Sequence, residues 1–157
     1  MVGSGKSRQQ WSVGSVVKVP LGDGGFAFGQ MLKTPEYAFF DLRATEDVGV
    51  DAIVRRAVLF RLWVMRYAHS TGRWTKIGSA PLSEELTRSV YRFKQDSINP
   101  SDIHLYKDGK EGAQVSAAEC SGLECAAVWD PDHVEHRLRD HFAGRPNKWA
   151  ESLRVRI

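Results

Sequence analysis

A chain of 157 residues with 42% apolar and 10% aromatic residues suits one domain that buries about 70% of its unfolded surface. It holds no run of about 18 apolar residues, so no membrane span is expected, and no apolar signal-peptide core, so a cytoplasmic location is expected. Two cysteines, Cys120 and Cys125, are too few for a disulfide framework and lack a second pair to complete a zinc site; the net charge of +3 comes from interspersed signs, without the one-sided block of a nucleic-acid binder.

Residues 1–10 are small and polar and read as a flexible leader, which leaves 11–157 as a single domain. Within the leader, Gly3-Ser4-Gly5-Lys6-Ser7 imitates the end of a phosphate-binding loop. The earlier glycine that such a loop needs, five residues before Gly5, is missing. Val16 to Val19 reads as a strand, and Leu21-Gly22-Asp23-Gly24-Gly25 as a tight turn. From Phe26 to Leu32 the residues alternate with the period of a half-buried strand. Gly22, Gly24 and Ala27 have the spacing of a dinucleotide loop, but a strand follows where the pyrophosphate needs a helix N-terminus. Lys33-Thr34-Pro35 turns the chain again, and Tyr37 to Leu42 makes a third strand. Short strands joined by tight turns predict an antiparallel β-meander or a small SH3-like barrel at the front of the chain.

Val50 to Arg56 is a short helix by pattern. Ala57 to Ala68 is nearly continuous in apolar residues, like a central strand covered on both faces. Leu59, Leu62, Trp63, Arg66 and Tyr67 also fit a helical period, but the β-branched and aromatic content favours a strand. Ser70 to Pro81 reads as a loop punctuated by Gly72 and Gly78, and Ser83 caps a short helix. Val90–Gln95 and Ile103–Lys107 are predicted strands, with Asp108-Gly109 as a hairpin signal before Ala113–Val115. Ala117 to Leu123 reads as a brief helix.

The firmest local signal lies near the end. Asp130 is a good N-cap, Pro131 suits the first helical position, and Asp132 and Glu135 place negative charge where the helix dipole favours it. Val134, Leu138 and Phe142 make one apolar stripe, and Gly144 and Pro146 stop the helix. C-terminal helices packed on the front sheet complete an α+β fold.

That helix also carries the one constellation resembling a metal site. His133, His136 and Asp140 lie on one side of it. Hydrolysis would need a further ligand, from His104 or His69, and an open position for water. Against this, the alternating charges of Glu135, Arg137, Arg139 and Asp140 read as a solvated face. His141 flanks the apolar stripe and reads as a packing residue. There is no Gly-x-Ser-x-Gly elbow, and neither cysteine sits in a catalytic context. Trp74 and Trp129 read as core or loop anchors, with interface anchoring as the alternative. The residues therefore name no catalytic residue, cofactor or metal ligand, and a nucleic-acid-binding SH3-like module is disfavoured.

Several segments taken together resemble the immunity protein 26 family: Val16 to Gly24, Ala27 to Gln30, Ala38 to Arg43, Arg92 to Asp96, Ala127 to Glu135, and Asp140 to Trp149. The resemblance runs from about residue 11 to the C-terminus. It implies a small cytoplasmic protein of a bacterial polymorphic toxin system, which binds and silences a cognate toxin by stoichiometric occlusion. Some members are named as phosphotriesterases of the HocA type, which implies a metal-dependent organophosphate hydrolase as the alternative. No catalytic motif of that activity maps onto numbered positions here.

Overall fold

Local turn chemistry starts the first sheet. In the computed structural model, which describes residues 8–157, the Asp23 carboxylate accepts the Gly25 N–H at 2.9 Å. This folds β1 (Ser15–Pro20) onto β2 (Phe26–Met31), with Pro20 opposite Phe26. A second turn, with a cis Thr34–Pro35 bond, leads to β3 (Glu36–Phe40), and β4 (Val58–Val64) pairs antiparallel with it. The predicted meander is present. The sheet is extended by β5 (Thr75–Ser79) on β1 and by β9 (Val128–Trp129), parallel to β4. The order is β5-β1-β2-β3-β4-β9. Because β5 and β9 are two separate edges, the sheet is open, and the SH3-like barrel is corrected to an open sheet.

The chain groups into two compact units. One runs to Thr87 and resumes over Val128–Pro146; the other comprises Arg88–Ala127 and Asn147–Ile157. In the first unit, one sheet face buries Val16, Phe28, Ala38 and Phe40 with Leu32, Leu86 and Ile53 of α1 (Val50–Val54). The opposite face stacks Tyr37, Phe39, Phe60 and Trp74, with Phe39 5.6 Å from both Phe60 and Trp74. Helix α3 (Pro131–Phe142) covers that face, with the Arg137 guanidinium 3.9 Å above the Phe60 ring. With both faces covered, β2 and β3 are buried almost throughout, instead of half-buried as the alternation of Phe26 to Leu32 predicts.

Two further expectations change for tertiary reasons. The predicted strand 57–68 ends at Val64, because β3 offers no ladder partner beyond Glu36, opposite Trp63, and on that side the last bond runs from Val64 N–H to the Pro35 carbonyl. The chain then forms α2 (Tyr67–Ser70). The predicted loop 70–81 contains β5, an exposed edge strand whose pairing with β1 is long-range. The expected leader lies mostly outside the described residues, and with it Gly3 to Ser7. At its end, the Gln9 carboxamide bonds the His69 and Trp74 carbonyls and the Lys76 N–H.

The second unit is a three-stranded antiparallel sheet, β6 (Arg92–Gln95), β7 (Ile103–Lys107) and β8 (Lys110–Gln114). Asp108 and Gly109 both take positive φ, 53° and 76°, the geometry of a type I′ hairpin turn. Phe93, Ile103 and Cys120 form its small core with Val115, Leu123, Cys125 and Val155. Asn147 caps α4 (Lys148–Ser152), and the chain end is held by reciprocal bonds between the Gln95 carboxamide and the Arg156 backbone at 2.8 and 2.9 Å.

Candidate functional site

The N-terminus of α3 forms as its sequence predicts. The Asp130 carboxylate accepts the Asp132 N–H at 2.8 Å and also the Tyr67 hydroxyl at 2.8 Å. Burial opposes the charge on Asp130, yet those two hydrogen bonds hold its carboxyl below the usual range. Val134 and Leu138 are fully buried. His141, read as a packing residue, instead points outward and bonds Asp41 at 3.1 Å.

His136 and Asp140 do come together, with Nε2 3.3 Å from Oδ2. Asp140 is buried, not solvated, and its other oxygen faces the Arg145 guanidinium at 3.3 Å. A cation already shares that carboxylate. His104 belongs to the second unit, where its Nδ1 meets Asp102 at 3.2 Å. His69 is buried on α2. Among the described residues no group of three or more His, Cys, Asp or Glu is placed to hold a metal ion, so His133, His136 and Asp140 do not make a ligand set.

Glu135 was expected on a solvated face, but it is 6% exposed. Arg73 donates to both its oxygens at 2.8 Å, and Trp74 Nε1 donates to one of them at 2.8 Å. The charge-assisted fork is the strong form of such a pair. It raises the Arg73 guanidinium further above its ordinary value. With both oxygens engaged, Glu135 is a fastener between α3 and the 71–74 turn rather than a base.

The second unit carries a polar recess of about 330 Å³, lined by Lys94, Asp96, Asp102, His104, Glu111 and Cys125 among others. The register of β6, β7 and β8 assembles it: Lys94 stands opposite His104, and Tyr106 opposite Glu111. Several of its polar groups are engaged. Asp96 accepts the Ile98 and Asn99 N–H groups at 2.8 Å, and the Lys94 ammonium sits 4.6 Å over the Tyr106 ring. Burial pushes the Cys125 thiol up, so it stays protonated and poorly nucleophilic near neutrality. The sequence gives no signal of this recess, because only strand pairing brings residues 94 and 111 together.

Trp74 and Trp129 are buried, at 0% and 4% exposure, and so pack the core instead of anchoring an interface. The apolar side chains that do face solvent are others. In the first unit Met65, Tyr67 and Val128 are exposed, the last on the edge strand β9; in the second, Tyr91 and Ile98 are exposed.

A family model described as Immunity protein 26 matches residues 12–103, while no curated protein and no solved structure matches the chain. The match begins just ahead of β1 and ends at the first residue of β7, more than half of the chain. It does not extend to α3, where two of the resembling segments lie, and it lends no support to the phosphotriesterase label. By this match the chain is a member of the Immunity protein 26 family.

Proposed function

We propose that this chain is the immunity partner of a toxin: it binds a cognate toxin protein in the cytoplasm and neutralises it by stoichiometric occlusion. The observation that carries the reading is the family match over residues 12–103. The polar groups of the α3 cluster and the Glu135 fork, and Asp96 in the second-unit recess, are engaged by internal partners, which suits a molecule that acts through its exterior. Among the described residues no helix is long and apolar enough to cross a membrane.

Occlusion needs only surface. A standard interface buries roughly 1,600 Å² in total, and a few aromatic or Arg anchors carry most of its energy, with Met also enriched at such surfaces. Met65 and Tyr67 in the first unit, and Tyr91 in the second, are exposed side chains of those types. Co-expression with the toxin encoded beside this chain's gene tests the reading. Restored growth and a one-to-one complex on size-exclusion chromatography are expected; unrelieved toxicity with no complex refutes it.

A further inference from the structure

The box under Trp11 holds two buried polar atoms without a partner among the described residues. His69, at the end of α2, is 7% exposed, and its ring Nδ1 has no hydrogen-bond partner among the described residues. The Tyr37 hydroxyl is fully buried and equally unpartnered. Trp11 touches both rings edge-on, with centroids 5.2 Å from His69 and 4.9 Å from Tyr37. A buried polar group without a partner costs free energy, and native folds keep few of them.

Trp11 belongs to a strap over residues 9–12 that is fastened at both ends. Gln9 donates to the carbonyls of His69 at 3.1 Å and Trp74 at 2.7 Å, and accepts the Lys76 N–H at 2.8 Å. Trp11 Nε1 donates to the Leu32 carbonyl at 2.8 Å. The groups that face His69 are therefore unfavourable to a charge on it. Tyr37 on β3 is neutral, and the strap offers an amide and an indole. Arg66 before α2 and Lys76 on β5 are both cations, and among the described residues no carboxylate acts on the ring.

We propose that His69 is a proton-operated latch: the neutral imidazole packs beneath Trp11 and keeps the strap on the sheet, and the protonated ring releases it. A protonated ring would carry an Nδ1–H with no acceptor, next to two positive charges. The cheapest relief is to lift the strap and let water reach the ring. Burial, then Arg66 and Lys76, hold His69 below its ordinary value, in the sense the latch requires. The unfolded chain takes up the proton first, near the ordinary histidine value of about 6.5. The strap's contribution to stability is thus full above that pH and is lost as pH falls through the folded value.

The test is hydrogen exchange of the Trp11 indole N–H in the full chain, corrected for the intrinsic pH dependence, from about pH 7.5 to about pH 5, on either side of the ordinary histidine value. Protection of Trp11 should drop severalfold on acidification while the Trp74 indole N–H, bonded to Glu135, stays protected. His69→Phe keeps a ring under Trp11 and should flatten the response; Tyr37→Phe should leave it intact. An unchanged Trp11 protection, an equal drop in His69→Phe, or a parallel drop at Trp74 overturns the latch. If His69→Phe fails to fold, the wild-type chain still decides. The drop must then share its midpoint with the His69 ring titration, and a mismatch overturns the proposal.

Discussion

Single residues matter here chiefly as buried polar joints. Glu135 satisfies a guanidinium and an indole at once, so Glu135→Ala orphans the fully buried Trp74 N–H and half-frees Arg73. A loss of roughly 2–4 kcal/mol is expected in urea unfolding. Glu135→Gln, which still accepts from Trp74, should lose less. Asp130 offers a separable case, since it is both a cap and a depressed carboxyl. Its folded value lies below the unfolded one, so its ionic contribution is present above about pH 3.9 and fades as pH falls through the folded value. Asp130→Asn should keep the cap and blunt the acid limb of thermal stability. Asp130→Ala should lose about 1 kcal/mol near neutrality as well.

At the scale of elements, junctions rather than strand interiors are the sensitive places. Gly14 precedes β1 with φ of +94°, and a Cβ there would stand 2.8 Å from the Ala80 carbonyl oxygen just beyond β5. The buried Gln30 amide donates to both the Gly14 and Ala80 carbonyls at this junction. Gly14→Ala therefore combines backbone strain with a collision against main chain. A loss of about 2 kcal/mol or more is expected, visible as a lowered melting temperature. Elements were legible where their signals are local: the Asp130-Pro131 helix start, the Asp108-Gly109 turn, and the strands of the meander. β5 was not legible, because its polar, glycine-containing run acquires strand character only by pairing with β1. The apolar run through 57–68 outlasts its strand for the complementary reason, since apolar content says nothing about where the partner strand stops.

For the whole molecule, the binding reading makes a claim about the exterior that stability measurements can separate from the core. Met65→Ala and Tyr91→Ala remove exposed side chains and should leave the melting temperature within about a degree or two, as surface changes usually do. If either side chain anchors the toxin, its truncation costs about 2 kcal/mol or more of binding, roughly thirtyfold in Kd. Calorimetric titration of the toxin reads this directly; unchanged affinity in both variants places the anchors elsewhere. The histidine cluster shows why a site is harder to read than a fold. His133, His136 and Asp140 share a helix side by spacing alone, but Asp140 answers to Arg145 as well as His136, and spacing cannot reveal a competing cation.

By itself the sequence determined the α+β class, the opening meander, the capped helix α3 and the absence of a long apolar span, because caps, turns and periodicity act within a few residues. Only the tertiary structure decided that the sheet stays open, that Glu135 and Asp140 turn inward, and that Trp74 and Trp129 are core. Those outcomes depend on partners distant in the chain, and the free energy of burying a charge or a ring is settled by what lies across from it.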